Sequence, residues 1–264
     1  MNFGTDFPRR EPSEHPPEDF SAFPDAAGDS AAEGRDAFGR SAGLVGLATL
    51  ISRILGFLRD VLIANFFGAA LIADAFFIAY AIPSLLRRFF AEGALTSAFI
   101  PVFSQVRRKS GKVEAQRFAG AIALGLGAAL IIVSALGAWF AEPLVWVLAP
   151  GFASSIEKVT LTARLTRVMF PFLFFIGLSA IAMGVLNAHR RFFLPALSPA
   201  LHNVAMIAAL LAAATFAVGR PGTVWLAWGV VAGGVLQLAL QIPFMARRGL
   251  LPIPAAPWRA PGVG

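Results

Sequence analysis

The sequence predicts an all-α protein, a polytopic transmembrane helix bundle of six spans. Of its 264 residues, 57% are hydrophobic and only 14% are charged, with a mean hydropathy of +0.71. A water-soluble domain of that composition lacks the polar residues to cover its own surface. The apolar residues fall into runs of about twenty or more, the length a helix needs to cross a hydrocarbon core. Basic residues gather in every second connection between those runs, the pattern that orients helices in a membrane.

Residues 1–40 stand apart. They hold nine acidic residues, four arginines and five prolines, a net charge of −5, while residues 41–264 carry +12. With no apolar period, the first forty residues cannot bury enough surface to offset the entropy of ordering, so they read as a disordered acidic tail. They lack the positive start and immediate apolar run of a signal peptide.

The first span is expected over residues 41–67. On a helical wheel centred on Gly56, Thr49, Ser52, Arg53, Arg59 and Asp60 share an arc of about 120°. A glycine within a polar arc leaves room for something to lie against the backbone. Arg53 and Asp60, seven residues apart, could instead serve helix packing by ion pairing, but two arginines against one aspartate leave positive charge in excess.

The second helix runs over residues 71–101 in two segments, with kinks expected at Pro83 and Pro101, each of which removes a backbone donor. It carries Asp74, Arg87, Arg88 and Glu92. Arg88 and Glu92 have the spacing of an ion pair, and either Arg87 or Arg88 could point inward while the other snorkels. A charge at the bilayer centre costs at least about 2.5–3.5 kcal/mol, so charges retained there normally face a bundle interior or a wet cavity. Residues 52–105 hold seven of them, which predicts a polar chamber.

Residues 107–117, with five basic residues and the single acid Glu114, read as a cytoplasmic loop. The uncharged run 118–141 is the third span, with Gly120, Gly125 and Gly127 suited to close helix packing. Residues 142–160 form an outer connection with Trp146 at the interface. The fourth span covers 168–189 and ends at His189, Arg190 and Arg191. The fifth covers 192–219, with His202 and Asn203 read as hydrogen-bonded packing residues. The sixth covers 221–246, with Trp225 and Trp228 in an aromatic belt at its outer end and Arg247 and Arg248 closing it inside. Basic residues counted by side place the amino terminus in the cytoplasm. Residues 253–264 have no helical period.

Several functions are disfavoured. Cysteine is absent and the three histidines, His15, His189 and His202, lie far apart in sequence, which argues against a metal site. No glycine-rich loop followed by Lys and Ser/Thr is present to cradle a nucleotide. The basic residues sit at helix ends rather than on a nucleic-acid-binding face, and no nucleophile–base pair suggests an enzyme. No cofactor is expected.

The segments SRILGFLRD (52–60), DAFFIAY (74–80) and PSLLRRFFAEGALTSAFIP (83–101) resemble the MurJ (MviN) lipid II flippases of the multidrug/oligosaccharidyl-lipid/polysaccharide exporter superfamily. APGF (149–152), PALSPALHN (195–203) and WGVVAGGVLQLALQIP (228–243) continue the likeness, which covers roughly residues 41–252.

The resemblance implies the first, six-helix lobe of a two-lobed transporter in the bacterial cytoplasmic (inner) membrane, with residues 253–264 a truncated loop before a missing seventh helix. The transporter would carry lipid II, the undecaprenyl-diphosphate-linked peptidoglycan precursor, outward by alternating access, as a secondary transporter driven by membrane potential or an ion gradient. Arg53, Arg59 and Arg87 would hold the diphosphate and sugar head, with Arg88 in support. Glu92 would pair with an arginine at a gate and Asp74 would lie at the outward end of the cavity, with Ser52 and Asp60 also lining cavity or gate. Partners would be lipid II, membrane lipids and cell-wall synthesis proteins, with no nucleic acid. Family members often carry a lysine where this chain has Ala81. Other readings are an exporter of another polyprenyl-linked glycan and a non-transporting remnant.

Overall fold

The structure, a computed structural model, describes residues 26–68, 71–88, 94–216 and 220–255, and their side chains in 43–68, 71–88, 98–216 and 222–255. The chain divides into two compact units, Met1–Arg40 and Ser41–Gly264. Within the first, residues 26–40 are helical.

The elements are α1 (Ala26–Phe67), α2 (Leu71–Arg87), α3 (Ala94–Trp139), α4 (Ala141–Leu148), α5 (Ile156–Met169), α6 (Phe172–Ala188), α7 (Phe193–Phe216) and α8 (Arg220–Arg247). No strand occurs among the described residues. The all-α reading holds, and four helical stretches are long and apolar enough to cross a membrane: Ala98–Trp139, Ile156–Ala188, Phe193–Phe216 and Gly222–Arg247. The expected count of six is not reached on length and composition. Helix α2 has only 17 residues, and the described part of α1 carries Arg53, Arg59 and Asp60 near its middle.

Three boundaries differ from expectation, each for a local reason. Helix α1 begins at Ala26 rather than near residue 41, in a stretch rich in alanine, the strongest helix former. Residues 107–117 are not an irregular loop: α3 runs through them, with a break at Gly111 alone (φ 89°, ψ −179°). Lysine, arginine, glutamate and glutamine sustain a helix, and a single left-handed glycine suffices to turn it. The outer connection 142–160 is mostly α4 and the start of α5, separated by a 3-10 turn at Pro150–Phe152. Ser155 caps α5, its Oγ accepting from the backbone N–H of Lys158 at 3.4 Å.

Among the described residues three apolar clusters form the core, and two of them reach α8. One joins Ile63 and Phe67 of α1 to Phe76 of α2, Phe172 of α6, Met206 of α7 and Val230 of α8. The other joins Phe99, Phe103 and Phe118 of α3 to Leu186 of α6 and Met245 of α8. Small residues set the spacing. A Cβ on Gly184 would meet the Phe99 ring at 2.7 Å, and one on Gly233 would overlap the His202 imidazole.

The arginine-rich turns converge on one end. Arg107 donates to the carbonyl of Ala188 at 3.4 Å, and Gln116 donates to the carbonyls of Gly249 and Leu251 at 2.9 Å each. The backbone N–H of Ile253 donates to the Gln116 carbonyl at 3.0 Å, which lays the segment after α8 along α3.

Candidate functional site

A cavity of about 330 Å³ lies among α1, α2, α6, α7 and α8. Three arginines line it, Arg59 from α1 and Arg87 and Arg88 from the end of α2. The neutral polar side chains of His202 and Asn203 on α7 and Gln237 on α8 also line it, with Phe172, Ile176 and Met183 of α6. A larger hollow of about 580 Å³ opens between α5 and α8 beside Trp225, but it holds one arginine, Arg164, and an acid, Glu157. Positive charge concentrates in the smaller cavity.

Arg59 is the most constrained of the three. Its Nε and Nη2 donate to Asp60 Oδ1 at 2.9 and 2.8 Å, and its Nη1 donates to Asn203 Oδ1 at 2.8 Å. Asn203 in turn donates through Nδ2 to the carbonyl of Ser52 at 2.9 Å. One amide thus ties two successive turns of α1 to α7. The Asn203 amide packs over Gly56, where an added Cβ would lie in ordinary contact with Nδ2 at 3.4 Å.

The guanidinium of Arg59 also lies 5.8 Å from the ring centroid of Tyr80, within the range of a cation–π contact. Tyr80 Oη is 3.1 Å from His202 Nε2. The imidazole stacks on the Tyr80 ring (centroids 6.1 Å, 17° between planes) and sits 5.1 Å from the centroid of Phe172.

The sequence-predicted residues divide. Arg59, Arg87 and Arg88 meet at the cavity, and Ser52 and Asp60 reach it through Asn203 and Arg59. Arg53 is exposed and does not line it. The buried stripe of α1 runs through Ala48, Ser52, Gly56, Ile63 and Phe67, and Arg53 stands on the edge of the polar arc farthest from Arg59. Asp74 is paired elsewhere, accepting from Lys158 Nζ at 2.8 Å. Glu92 lies outside the described residues. Ala81 is exposed.

Sequence reasoning missed Tyr80 and Gln237 and read His202 and Asn203 as packing alone. The available signal was Tyr80's identity as the sole tyrosine of the chain, one helical turn before Ser84 and two before Arg87 and Arg88. Among the described residues no group of three or more His, Cys, Asp or Glu is placed to hold a metal ion.

Residues 63–264 match the family described as "Lipid II flippase MurJ". A protein of Buchnera aphidicola subsp. Acyrthosiphon pisum named "Probable lipid II flippase MurJ" is 38% identical over 219 residues, which cover 83% of this chain and 42% of that protein. One of Burkholderia cenocepacia named "Lipid II flippase MurJ" is 39% identical over 219 residues, covering 81% of this chain and 42% of that protein. A solved structure titled "Lipid II flippase MurJ, inward closed conformation" superposes with a TM-score of 0.64 at 33% identity, over 77% of this chain and 42% of that one. The chain thus spans about two fifths of the length of the relatives it matches.

Proposed function

This chain belongs to the lipid II flippase MurJ family, and on that footing we propose that it is the amino-terminal lobe of a transporter that moves lipid II across the bacterial cytoplasmic membrane by alternating access. Its four membrane-length apolar helices make it a multi-pass membrane protein. The single observation that carries the proposal is the meeting of Arg59, Arg87 and Arg88 at one cavity inside an apolar bundle. Planar guanidinium forks bind phosphate oxygens through paired, charge-assisted hydrogen bonds that a lysine point charge does not reproduce.

In this reading the diphosphate competes with Asp60 for Arg59. Asp60, with its side chain 51% exposed, neutralises the arginine while the cavity holds no substrate and releases it when phosphate arrives. Arg53, on the exposed edge of α1, meets the headgroup outside the described cavity. The arginine-rich turns after α6 and α8 face the cytoplasm, which also places the amino terminus there. Residues 41–252 form the transmembrane lobe. Movement is driven by membrane potential or an ion gradient, since the chain has no phosphate cradle for a nucleotide.

The test is rescue of bacteria depleted of their own flippase by the complete protein. Arg59→Ala and Arg87→Ala abolish rescue, and Arg59→Lys does not restore it. Full rescue by both alanine variants would sink the assignment of the cavity.

A further inference from the structure

The arginines account for a diphosphate, but the same cavity also holds a differently built feature, the contact between Tyr80 and His202. The His202 ring is 6% exposed. Its Nε2 meets Tyr80 Oη at 3.1 Å, and its Nδ1 has no hydrogen-bond partner among the described residues. The Nδ1 edge abuts Gly233 on α8 so closely that a side chain there would overlap it.

That geometry selects a tautomer. A proton on Nδ1 would be a buried donor driven into the backbone of α8 with no acceptor. A proton on Nε2 donates to Tyr80 Oη, and the edge facing Gly233 then carries only a lone pair. With His202 as the donor, the phenolic O–H of Tyr80 is turned away from the imidazole and is free to donate into the cavity. One turn along α2, Ser84 also lines the cavity, and its buried Oγ has no partner among the described residues. The cavity therefore holds two hydroxyls with no acceptor among the described residues, beside neutral rings and amides and the Arg59 guanidinium.

Resting on the flippase reading of this cavity, we propose that Tyr80, fixed by His202 against Gly233, reads the sugar of the lipid-linked substrate, its O–H donating to an oxygen of the glycan while the arginines hold the diphosphate. A neutral donor adds little to the attraction of a dianion already met by three guanidinium groups. It discriminates for a sugar, whose oxygens are neutral acceptors and whose C–H faces suit the neighbouring Phe172 and Tyr80 rings. Tyr80 touches the substrate, and His202 is a positioning residue that acts through it.

The experiment compares two ligands on the full chain in lipid nanodiscs: lipid II, and undecaprenyl diphosphate, which has the same anchor and diphosphate but no glycan. Tyr80→Phe weakens lipid II binding about three- to tenfold, the loss expected for one neutral hydrogen bond, and leaves undecaprenyl diphosphate unchanged. His202→Leu reproduces that split and His202→Gln, which retains an N–H donor, restores lipid II binding. Arg59→Ala weakens both ligands. Melting temperatures of the variants separate misfolding, which weakens both ligands alike, from the split. Equal effects of Tyr80→Phe on the two ligands, or none on lipid II, overturn the inference while leaving the arginine cavity intact. If Arg59→Ala changes neither ligand, the flippase reading of the cavity fails and this inference fails with it.

Discussion

Helices α1 and α8 both contribute to the cavity, yet they are held by different forces. Helix α8 is fixed by shape: Leu226, Ala227 and Val230 are fully buried, and Gly233 and Gly234 admit His202 and Phe172 to within contact of its backbone. Helix α1 leaves Leu47, Leu50, Ile54, Phe57, Leu58 and Val61 exposed. Besides Ile63 and Phe67 in the apolar cluster, it is held by the Asn203 clasp on Ser52 and Arg59. Arg59 thus sits on a helix held by an amide clasp as well as by packing, whereas the cavity-facing part of α8 is held by packing alone. On the proposed function, a ligand that draws Arg59 away from Asp60 and Asn203 would loosen that clasp and leave α8 in place.

The sharpest way to break this contrast is to add volume to each helix. Gly233→Val should force the His202 ring out of its slot and cost about 1–3 kcal/mol, the usual penalty of overpacking, read as a lower melting temperature in detergent. A buried amide on the same helix gives a smaller effect. Gln241 is fully buried and donates to Ser179 Oγ at 2.8 Å and Ser198 Oγ at 3.0 Å, while its Oε1 has no partner among the described residues. Gln241→Leu removes two interhelical bonds and one orphaned acceptor together, so its cost should be only about 1 kcal/mol. On α1 the sign should reverse. The Cβ of Gly56→Ala meets Asn203 at 3.4 Å, an ordinary contact at the end of one side chain, and alanine in a helix is favoured over glycine by about 0.5–1 kcal/mol. A melting temperature that falls with Gly56→Ala would show that α1 is as tightly packed as α8, and would remove the contrast.

The parts legible in sequence were those where a residue type is costly in its setting. Arg59, Arg87 and Arg88 stood out because charges in apolar helices need a reason, while periodicity left open which of Arg87 and Arg88 points inward and only the family resemblance assigned them one cavity. On α1 periodicity grouped Arg53 with Arg59, because a 120° arc covers more of a helix than one cavity can face. His202 and Asn203 were ambiguous in principle, since a buried amide or imidazole reads alike whether it braces helices or faces a ligand. Asn203 braces α1 and also lines the cavity, and only the distances to Ser52 and Arg59 reveal it. Tyr80 was invisible because a tyrosine among phenylalanines reads as core until its hydroxyl is placed. Residues 107–117 misled because their basic charge reports the side of the membrane, not whether the backbone leaves the helix, and a single glycine was enough to make the turn.

The smallest expected effect concerns the packed half, through His189 at the turn after α6. Its Nδ1 lies 2.8 Å from the carbonyl of Val185 and its ring meets Phe103 edge-on with centroids 5.8 Å apart. Burial holds its pKa below the ordinary value near 6.5. The Val185 carbonyl opposes that, and the positive charges of Arg107 and Lys112 reinforce it. The folded state therefore prefers the neutral ring, and the unfolded chain takes up a proton first as pH falls. Stability should be flat above about pH 6.5 and decline as pH drops from there toward the lower folded value. His189→Gln keeps a hydrogen-bonding side chain and should abolish this residue's share of the decline. An unchanged slope in the variant would assign the dependence to another group. A slope lost together with a large fall in melting temperature would show that this turn contributes more to packing than one edge-on contact suggests.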